Sequence, residues 1–210
     1  MDKYLETISI WNKLADLYQE KFMNLNLYDP SYDFICKSIN DRSLSLLDIG
    51  CGPGNVCKYI LERCSNINVT GIDSAERMIE LARLNVKQAN FMVLDMRDLD
   101  KLAMRFDIVI AAFCLPYLSD EDVLNWLEKV YNAMQPEGYF YLSFVEGDKI
   151  HSGYKKGSTG DEIYFHYFRK ELLMERLVLL NFEHLKTFEF EYKIKDRQTE
   201  THVALILKKN

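Results

Sequence analysis

Three acidic side chains and a cluster of glycines carry the chemistry this chain can offer. The stretch Leu46-Leu47-Asp48-Ile49-Gly50-Cys51-Gly52-Pro53-Gly54-Asn55 runs from an apolar segment straight into three glycines. Glycine lets a backbone turn tightly and approach a ligand closely. A ligand held there sits at the carboxyl end of a strand, beside the first amides of a helix. Asp73 closes the next apolar segment, roughly 20 residues further on, where an acid can accept hydrogen bonds from both hydroxyls of a ribose. Asp95 stands in Val93-Leu94-Asp95-Met96. Its carboxylate can accept from an exocyclic amine such as adenine N6, and Met96 offers soft apolar surface to a ring. Each acid also has a plainer reading as a residue that starts a helix. Three successive strand ends carrying such groups point instead to a bound nucleotide. The dinucleotide fingerprint G-x-G-x-x-G needs glycine at position 55, but Asn55 is there and the third glycine comes one place early, at Gly54.

Such groups must be lined up by a scaffold, and the hydrophobic periodicity supplies one. Trp11, Leu14, Ala15, Tyr18 and Phe22 recur at helical spacing and predict an amphipathic helix over Thr7 to Phe22. Pro30 breaks the chain, and Tyr32 to Ile39 reads as a second helix. From Leu44 the pattern changes to short apolar runs separated by helices. Strands are expected over Leu44 to Ile49, Asn68 to Ile72, Asn90 to Leu94, Phe106 to Phe113 and Tyr139 to Val145. Helices are expected over Val56 to Cys64, Ala75 to Val86 and Ser119 to Met134, the last opened by Ser119 with Asp122 as a capping pair. Gln135-Pro136-Glu137-Gly138 has the composition of a type I turn. This alternation predicts a parallel sheet with right-handed crossovers. The tail departs from it. A helix over Arg169 to Leu180, with Asn181 as a left-handed cap, precedes two strands, Glu183 to Tyr192 and Thr201 to Leu207. Their joining turn includes Asp196-Arg197-Gln198, so the two must be antiparallel.

Composition narrows the field of functions. With 210 residues, 48% of them hydrophobic, the chain can bury a large core and reads as one domain. A net charge of -6 disfavours non-specific contact with a phosphate backbone. No apolar run reaches the length of a membrane span, and Met1 to Ile10 lacks the apolar core of a secretory signal. The five cysteines, Cys36, Cys51, Cys57, Cys64 and Cys114, include no C-x-x-C pair, which argues against a disulfide framework or a zinc site. A cytoplasmic setting, no resident metal, no membrane and no nucleic-acid partner are the expectations.

The ensemble of motifs resembles the class I S-adenosylmethionine-dependent methyltransferases of the small-molecule type, closely over Leu44 to Val145 and by topology in the terminal hairpin. The resemblance implies an α/β, three-layer Rossmann-like fold with a mostly parallel seven-stranded sheet ending in an antiparallel hairpin. It implies S-adenosylmethionine as cofactor, with Asp48, Gly50, Cys51, Gly52 and Gly54 around its methionine part. Asp73 and the neighbouring Ser74 match the ribose position, Met78 the adenine side, and Asp95 and Met96 the adenine edge. Ala111 and Ala112, in Phe106-Asp107-Ile108-Val109-Ile110-Ala111-Ala112, match the fourth motif, whose end faces the reactive sulfonium, and Tyr18 is expected near the cofactor carboxylate. Many relatives carry histidine where this chain has Tyr117, so no histidine base carries over to that place.

The implied reaction, transfer of a methyl group to a small molecule, is an in-line displacement driven mainly by positioning. A base is needed only if the acceptor arrives protonated. His151, Tyr154 and Tyr117 are the candidates for that role. The organisation expected is a helical cap (1–40), a cofactor-binding core (44–145), a substrate loop (146–168) with Gly147, Gly153, Gly157 and Gly160 suited to a lid, and a helix plus hairpin (169–210). A monomer or homodimer is expected. The alternatives are an NAD-dependent oxidoreductase and a catalytically silent S-adenosylmethionine-binding protein.

Overall fold

A computed structural model describes residues 3–38, 43–157, 159–194 and 198–210. Two helices, α1 (Lys3–Phe22) and α2 (Asp29–Ser38), precede the sheet. Strand β1 (Leu44–Ile49) leads through the glycines to α3 (Asn55–Arg63), then come β2 (Ile67–Asp73), α4 (Glu76–Asn85) and β3 (Asn90–Val93). A 3-10 turn over Met96–Lys101 leads to β4 (Phe106–Ala112), α5 (Asp120–Asn132) and β5 (Met134–Val145). A small hairpin, β6 (Gly153–Lys156) and β7 (Glu162–Phe165), intervenes before α6 (Lys170–Leu179), β8 (Phe182–Lys193) and β9 (Thr199–Lys209). The main sheet has seven strands in the order β3-β2-β1-β4-β5-β9-β8. The first five are parallel, and β9 runs antiparallel between β5 and β8.

Burial explains why the strands read as apolar runs. Leu46, Ile108, Ile110 and Tyr141 face one layer with Ile35 of α2, Ile60 of α3 and Ile79 of α4. Leu47, Ile49, Val109 and Phe140 face the other with Trp126 and Val130 of α5 and Leu173 and Leu177 of α6. Strands covered on both faces have no reason to alternate. Helix α1 lies apart from this sandwich. Its Ala15 packs with Ala75, Met78 and Leu81 at the start of α4, and Trp11 and Tyr18 close the cluster.

Several local devices match their sequence signals. Ser119 caps α5 by accepting from the Asp122 amide at 3.2 Å, and the Tyr4 hydroxyl donates to the Asp122 carboxylate, fastening α1 to α5. Asn181 holds a left-handed φ of 66° at the end of α6. Elsewhere the expectation fails. Gln135 to Gly138 is no isolated turn: β5 begins at Met134, which pairs with Phe106, and pairing resumes at Tyr139 opposite Ile108. The surplus residues form a bulge with Glu137 at φ 62°. Helix α5 therefore stops at Asn132, short of Met134. Ile39, Asp196 and Arg197 lie outside the described residues.

Candidate functional site

The carboxyl ends of β1, β2, β4 and β5 open onto a cavity of about 540 Å³, roofed by α1 and by the segment joining α1 to α2. The glycine turn forms its floor. Gly50 sits at φ +66°, and a Cβ there would stand 2.7 Å from the Cβ of Cys114, so only glycine fits. The Cys51 amide donates to the Ile72 carbonyl at 2.9 Å, which binds the turn to β2. The Gly52 amide donates to Asp73 at 3.0 Å, and the Ala75 amide donates to the other oxygen of the same carboxylate at 2.8 Å. Asp73 thus ties the glycine loop to the backbone that enters α4, and it lines the cavity wall. Burial pushes its carboxyl upward, against the pull of those amides.

Asp48 is the most constrained acid of the site. Only 1% exposed, it accepts from the Cys57 thiol at 3.1 Å on Oδ2, and its Oδ1 is buried with no partner. Burial pushes its carboxyl up to about 7; the Cys57 contact opposes this and nearby Asp73 adds to it. A buried anion with one oxygen unsatisfied at a cavity wall suits a cationic ligand group. Asp95 is different. Arg97 grips it in a bidentate pair at 2.7 and 3.0 Å, and the Arg97 guanidinium lies 3.8 Å from the centre of the Tyr4 ring. Burial acts to raise the Asp95 carboxyl, but Arg97 outweighs it and holds the group below its ordinary range. Asp95 also caps the 3-10 turn by accepting from the Arg97 amide, so its plainer role is real.

Of the residues expected to bind cofactor, Tyr18, Asp48, Gly50, Cys51, Gly52, Asp73, Ser74, Met78, Asp95, Met96 and Ala112 all line this cavity. Two do not. Gly54 turns away at φ +86° and lets α3 pack on Val86 and Ala82. Ala111 is fully buried in the sheet core, because alternation along β4 sends it to the face opposite Ala112. Tyr117 lines the cavity, edge-on to Trp11 at 5.6 Å and to Phe165 at 6.0 Å. Burial pushes its phenol far up, which suits a hydrogen-bond donor and not a base. His151 and Tyr154 are not among the lining residues. The residues around Tyr154 form the hairpin β6–β7, and Tyr154 is 54% exposed with its hydroxyl on Glu6. The hairpin is tied to α1 by Lys13–Asp161 at 2.8 Å and by Lys3 over the Tyr164 ring.

The sequence reading missed the far end of the cavity. Tyr28, Tyr32, Phe113, Tyr192, Glu200 and His202 line it, drawn from four separate segments. Phe113 holds a left-handed φ of 56°, fixed by its amide on the Ser143 carbonyl at 3.1 Å. The one trace in the sequence was a histidine placed at the head of the apolar run Val203-Ala204-Leu205. Among the described residues no cluster of His, Cys, Asp or Glu could hold a metal ion, all five cysteines are free, and no helix is long and apolar enough to cross a membrane.

A parallel sheet with a glycine turn and two acids at adjoining strand ends defines a Rossmann-like nucleotide-binding protein. Comparison with known proteins narrows this. The family described as "Methyltransferase domain" matches residues 46–138. The protein 235L of Invertebrate iridescent virus 6, which carries a methyltransferase name, is 31% identical over 138 residues, 66% of this chain and 49% of the relative. The chain spans about half the length of the curated relatives it matches. Among solved structures, the 1,6-didemethyltoxoflavin-N1-methyltransferase of Burkholderia thailandensis, with bound 1,6-didemethyltoxoflavin and S-adenosylhomocysteine, superimposes with a TM-score of 0.72 at 19% identity, covering 98% of this chain and 88% of that one. The magnesium protoporphyrin IX methyltransferase of Synechocystis PCC 6803, with bound S-adenosylmethionine, gives 0.72 at 14% identity, covering 100% and 98%. At those identities the structures establish the fold. Residues 46–138 thus match the methyltransferase family, and the whole chain shares the fold of S-adenosylmethionine-dependent methyltransferases.

Proposed function

We propose that this protein transfers a methyl group from S-adenosylmethionine to a small-molecule acceptor. The observation that carries the reading is the convergence of Asp48, Gly50, Gly52, Asp73, Asp95 and Met96 on one cavity that continues into an aromatic chamber. When bound, S-adenosylmethionine supplies a methyl carbon on a sulfonium, whose departing thioether is neutral and calls for no acid. Asp48, with an orphan oxygen, suits the cationic amine of the methionine part, and Gly50, Cys51 and Gly52 admit its backbone-like atoms closely. Asp73, with Ser74 beside it, holds a ribose. Met78 and Met96 sandwich an adenine whose amine reaches Asp95. Ala112 borders the reacting centre, and Tyr18, beside Gly52, stands near the cofactor carboxylate. The chain's own contribution is alignment and exclusion of water, which together account for much of the acceleration in such displacements.

In this reading residues 44–145 hold the cofactor, 1–40 and 146–168 enclose the acceptor, and 169–210 complete the sheet. The protein works in the cytoplasm as a monomer or homodimer, without nucleic acid. The test is to incubate purified protein with S-adenosylmethionine and a panel of small acceptors and follow S-adenosylhomocysteine by chromatography. Product formation that depends on the acceptor supports the reading. Binding of the cofactor with no turnover on any acceptor class would reduce the protein to a silent binder, and reduction of NAD instead would overturn the reading.

A further inference from the structure

The far end of the cavity holds a chain of hydrogen-bonding groups that cofactor binding does not use. The Tyr28 hydroxyl lies 2.6 Å from Nδ1 of His202. His202 is 7% exposed, and its Nε2 is buried with no hydrogen-bond partner, 3.7 Å from Glu200. Glu200 in turn accepts from the Tyr167 hydroxyl at 3.0 Å. The imidazole is stacked on Tyr192 at 4.8 Å, with Phe113 packed beside it at 5.0 Å and Tyr28 at its Nδ1 edge. Strand pairing sets its place: His202 lies opposite Val145, the last residue of β5, at the carboxyl end of the parallel strands.

We propose that Tyr28, His202 and Glu200 form a proton relay that accepts the proton of the methyl acceptor, and that the acceptor is a hydroxyl on an aromatic ring. This rests on the methyltransferase reading given above. With Nδ1 accepting from Tyr28, the neutral imidazole carries its proton on Nε2, facing the Glu200 carboxylate. A carboxylate behind an imidazole orients it and stabilises the imidazolium once formed. Contacts of this kind tighten when the substrate complex forms. In the step, the acceptor O–H bond breaks and its proton passes to the Tyr28 oxygen, while the Tyr28 proton passes to His202 Nδ1. The freed electron pair forms the bond to the methyl carbon as the carbon–sulfur bond breaks, its pair leaving with the neutral thioether. His202 ends as imidazolium against Glu200.

The acceptor class follows from matching acidities. A phenol is the most acidic of the common hydroxyls and the one an imidazole backed by a half-buried carboxylate can deprotonate. An alkyl alcohol is far too weak an acid for that base, and a carboxylate acceptor has no proton to give. Aromatic walls, Phe113 and Tyr117 among them, suit a flat ring. The groups facing His202 that also titrate are Tyr28 before α2, Tyr192 on β8 and Glu200 on β9. Tyr18 and Tyr141 act on Tyr28 from further off, and Tyr167 and Lys155 act on Glu200.

The test uses 4-nitrophenol as a probe, bound to the full chain in the presence of S-adenosylhomocysteine, with its ionisation followed by visible absorbance. The relay predicts that bound probe ionises at least one pH unit below free probe, a tenfold shift. Tyr28→Phe and His202→Gln each abolish that shift while keeping affinity for S-adenosylhomocysteine within about twofold. Two variants guard against a fold defect in either, and melting curves identify one. Probe that fails to bind, binds only as the phenol, or keeps its shift in both variants overturns the relay. Failure of the wild-type protein to bind S-adenosylhomocysteine would instead overturn the reading on which the relay rests.

Discussion

The two ends of the cavity are built on different plans. At the end formed by β1, β2 and the turn after β3, each contact comes from a short contiguous stretch: the glycine turn, Asp73 with Ser74, Asp95 with Met96. Their side chains are braced by nearby backbone, as in the Gly52 and Ala75 amides on Asp73. At the other end Tyr28, Phe113, Tyr192 and His202 come from four distant segments and are held by one another's rings and by the pairing of β5 with β9. A nucleotide demands the same few contacts wherever it binds, so its site can be written in local motifs. In the proposed reading the other end takes the acceptor, which carries no such common requirement, and packing alone assembles it.

The largest expected effect strikes the first end. Gly50→Val forces a branched residue into a left-handed φ and drives its Cβ into Cys114. Left-handed strain and overpacking together should cost about 2–5 kcal/mol in chemical denaturation. An equal stability for the variant would show that the turn is not as tight as described.

Next comes the ranking of the two acids. Asp73→Ala should weaken S-adenosylhomocysteine binding by about 100-fold, since two charge-assisted hydrogen bonds are lost. Asp95→Ala should cost about tenfold, because Arg97 already neutralises that carboxylate and one bond is at stake. Calorimetric titration of both variants, after melting curves show them folded, checks the order. A larger loss for Asp95→Ala would place ribose and adenine the other way round.

Asp48 sharpens the comparison through pH. Its folded carboxyl ionises near 7, above the ordinary value near 4, because burial disfavours the charge. The folded chain therefore keeps a proton that the unfolded chain releases. The contribution is favourable below about pH 4, falls as pH rises towards 7, and is flat beyond. The slope is at most about 1.4 kcal/mol per pH unit. Asp48→Asn should remove this falling limb from urea-denaturation curves taken between pH 4 and 8. Parallel curves for the two proteins would mean that Asp48 ionises normally.

The smallest effect falls on the hairpin. His151→Ala and Tyr154→Phe should leave stability within about 0.5 kcal/mol and acceptor turnover within about twofold, as expected of changes at exposed positions. A tenfold loss in either would give that side chain a direct part in the chemistry.

Much of the first end was legible from residue order alone. Leu44 to Ile49 is apolar at four of six positions, on both faces, because β1 is covered on both, and the glycines after it announce the turn. The limits of legibility were physical. Ala111 and Ala112 look equivalent in sequence, yet strand alternation puts one in the core and the other at the cavity. Gly54 matched a motif but serves helix packing. Gly153 and Gly157 suggested a lid, whereas the cross-strand pairing of Tyr154 with Tyr164 makes a hairpin that no local signal specified. His202 was invisible because its partners, Tyr28 and Tyr192, meet it only once β8 and β9 have closed on the sheet.

The central claim is that the contiguous end of the cavity holds S-adenosylmethionine and not a dinucleotide. Isothermal titration of S-adenosylhomocysteine and of NAD into the wild-type protein tests it most directly. One-to-one binding of S-adenosylhomocysteine, weakened about 100-fold in Asp73→Ala and accompanied by no heat from NAD, is the result expected. Saturable binding of NAD with none of S-adenosylhomocysteine would contradict the claim.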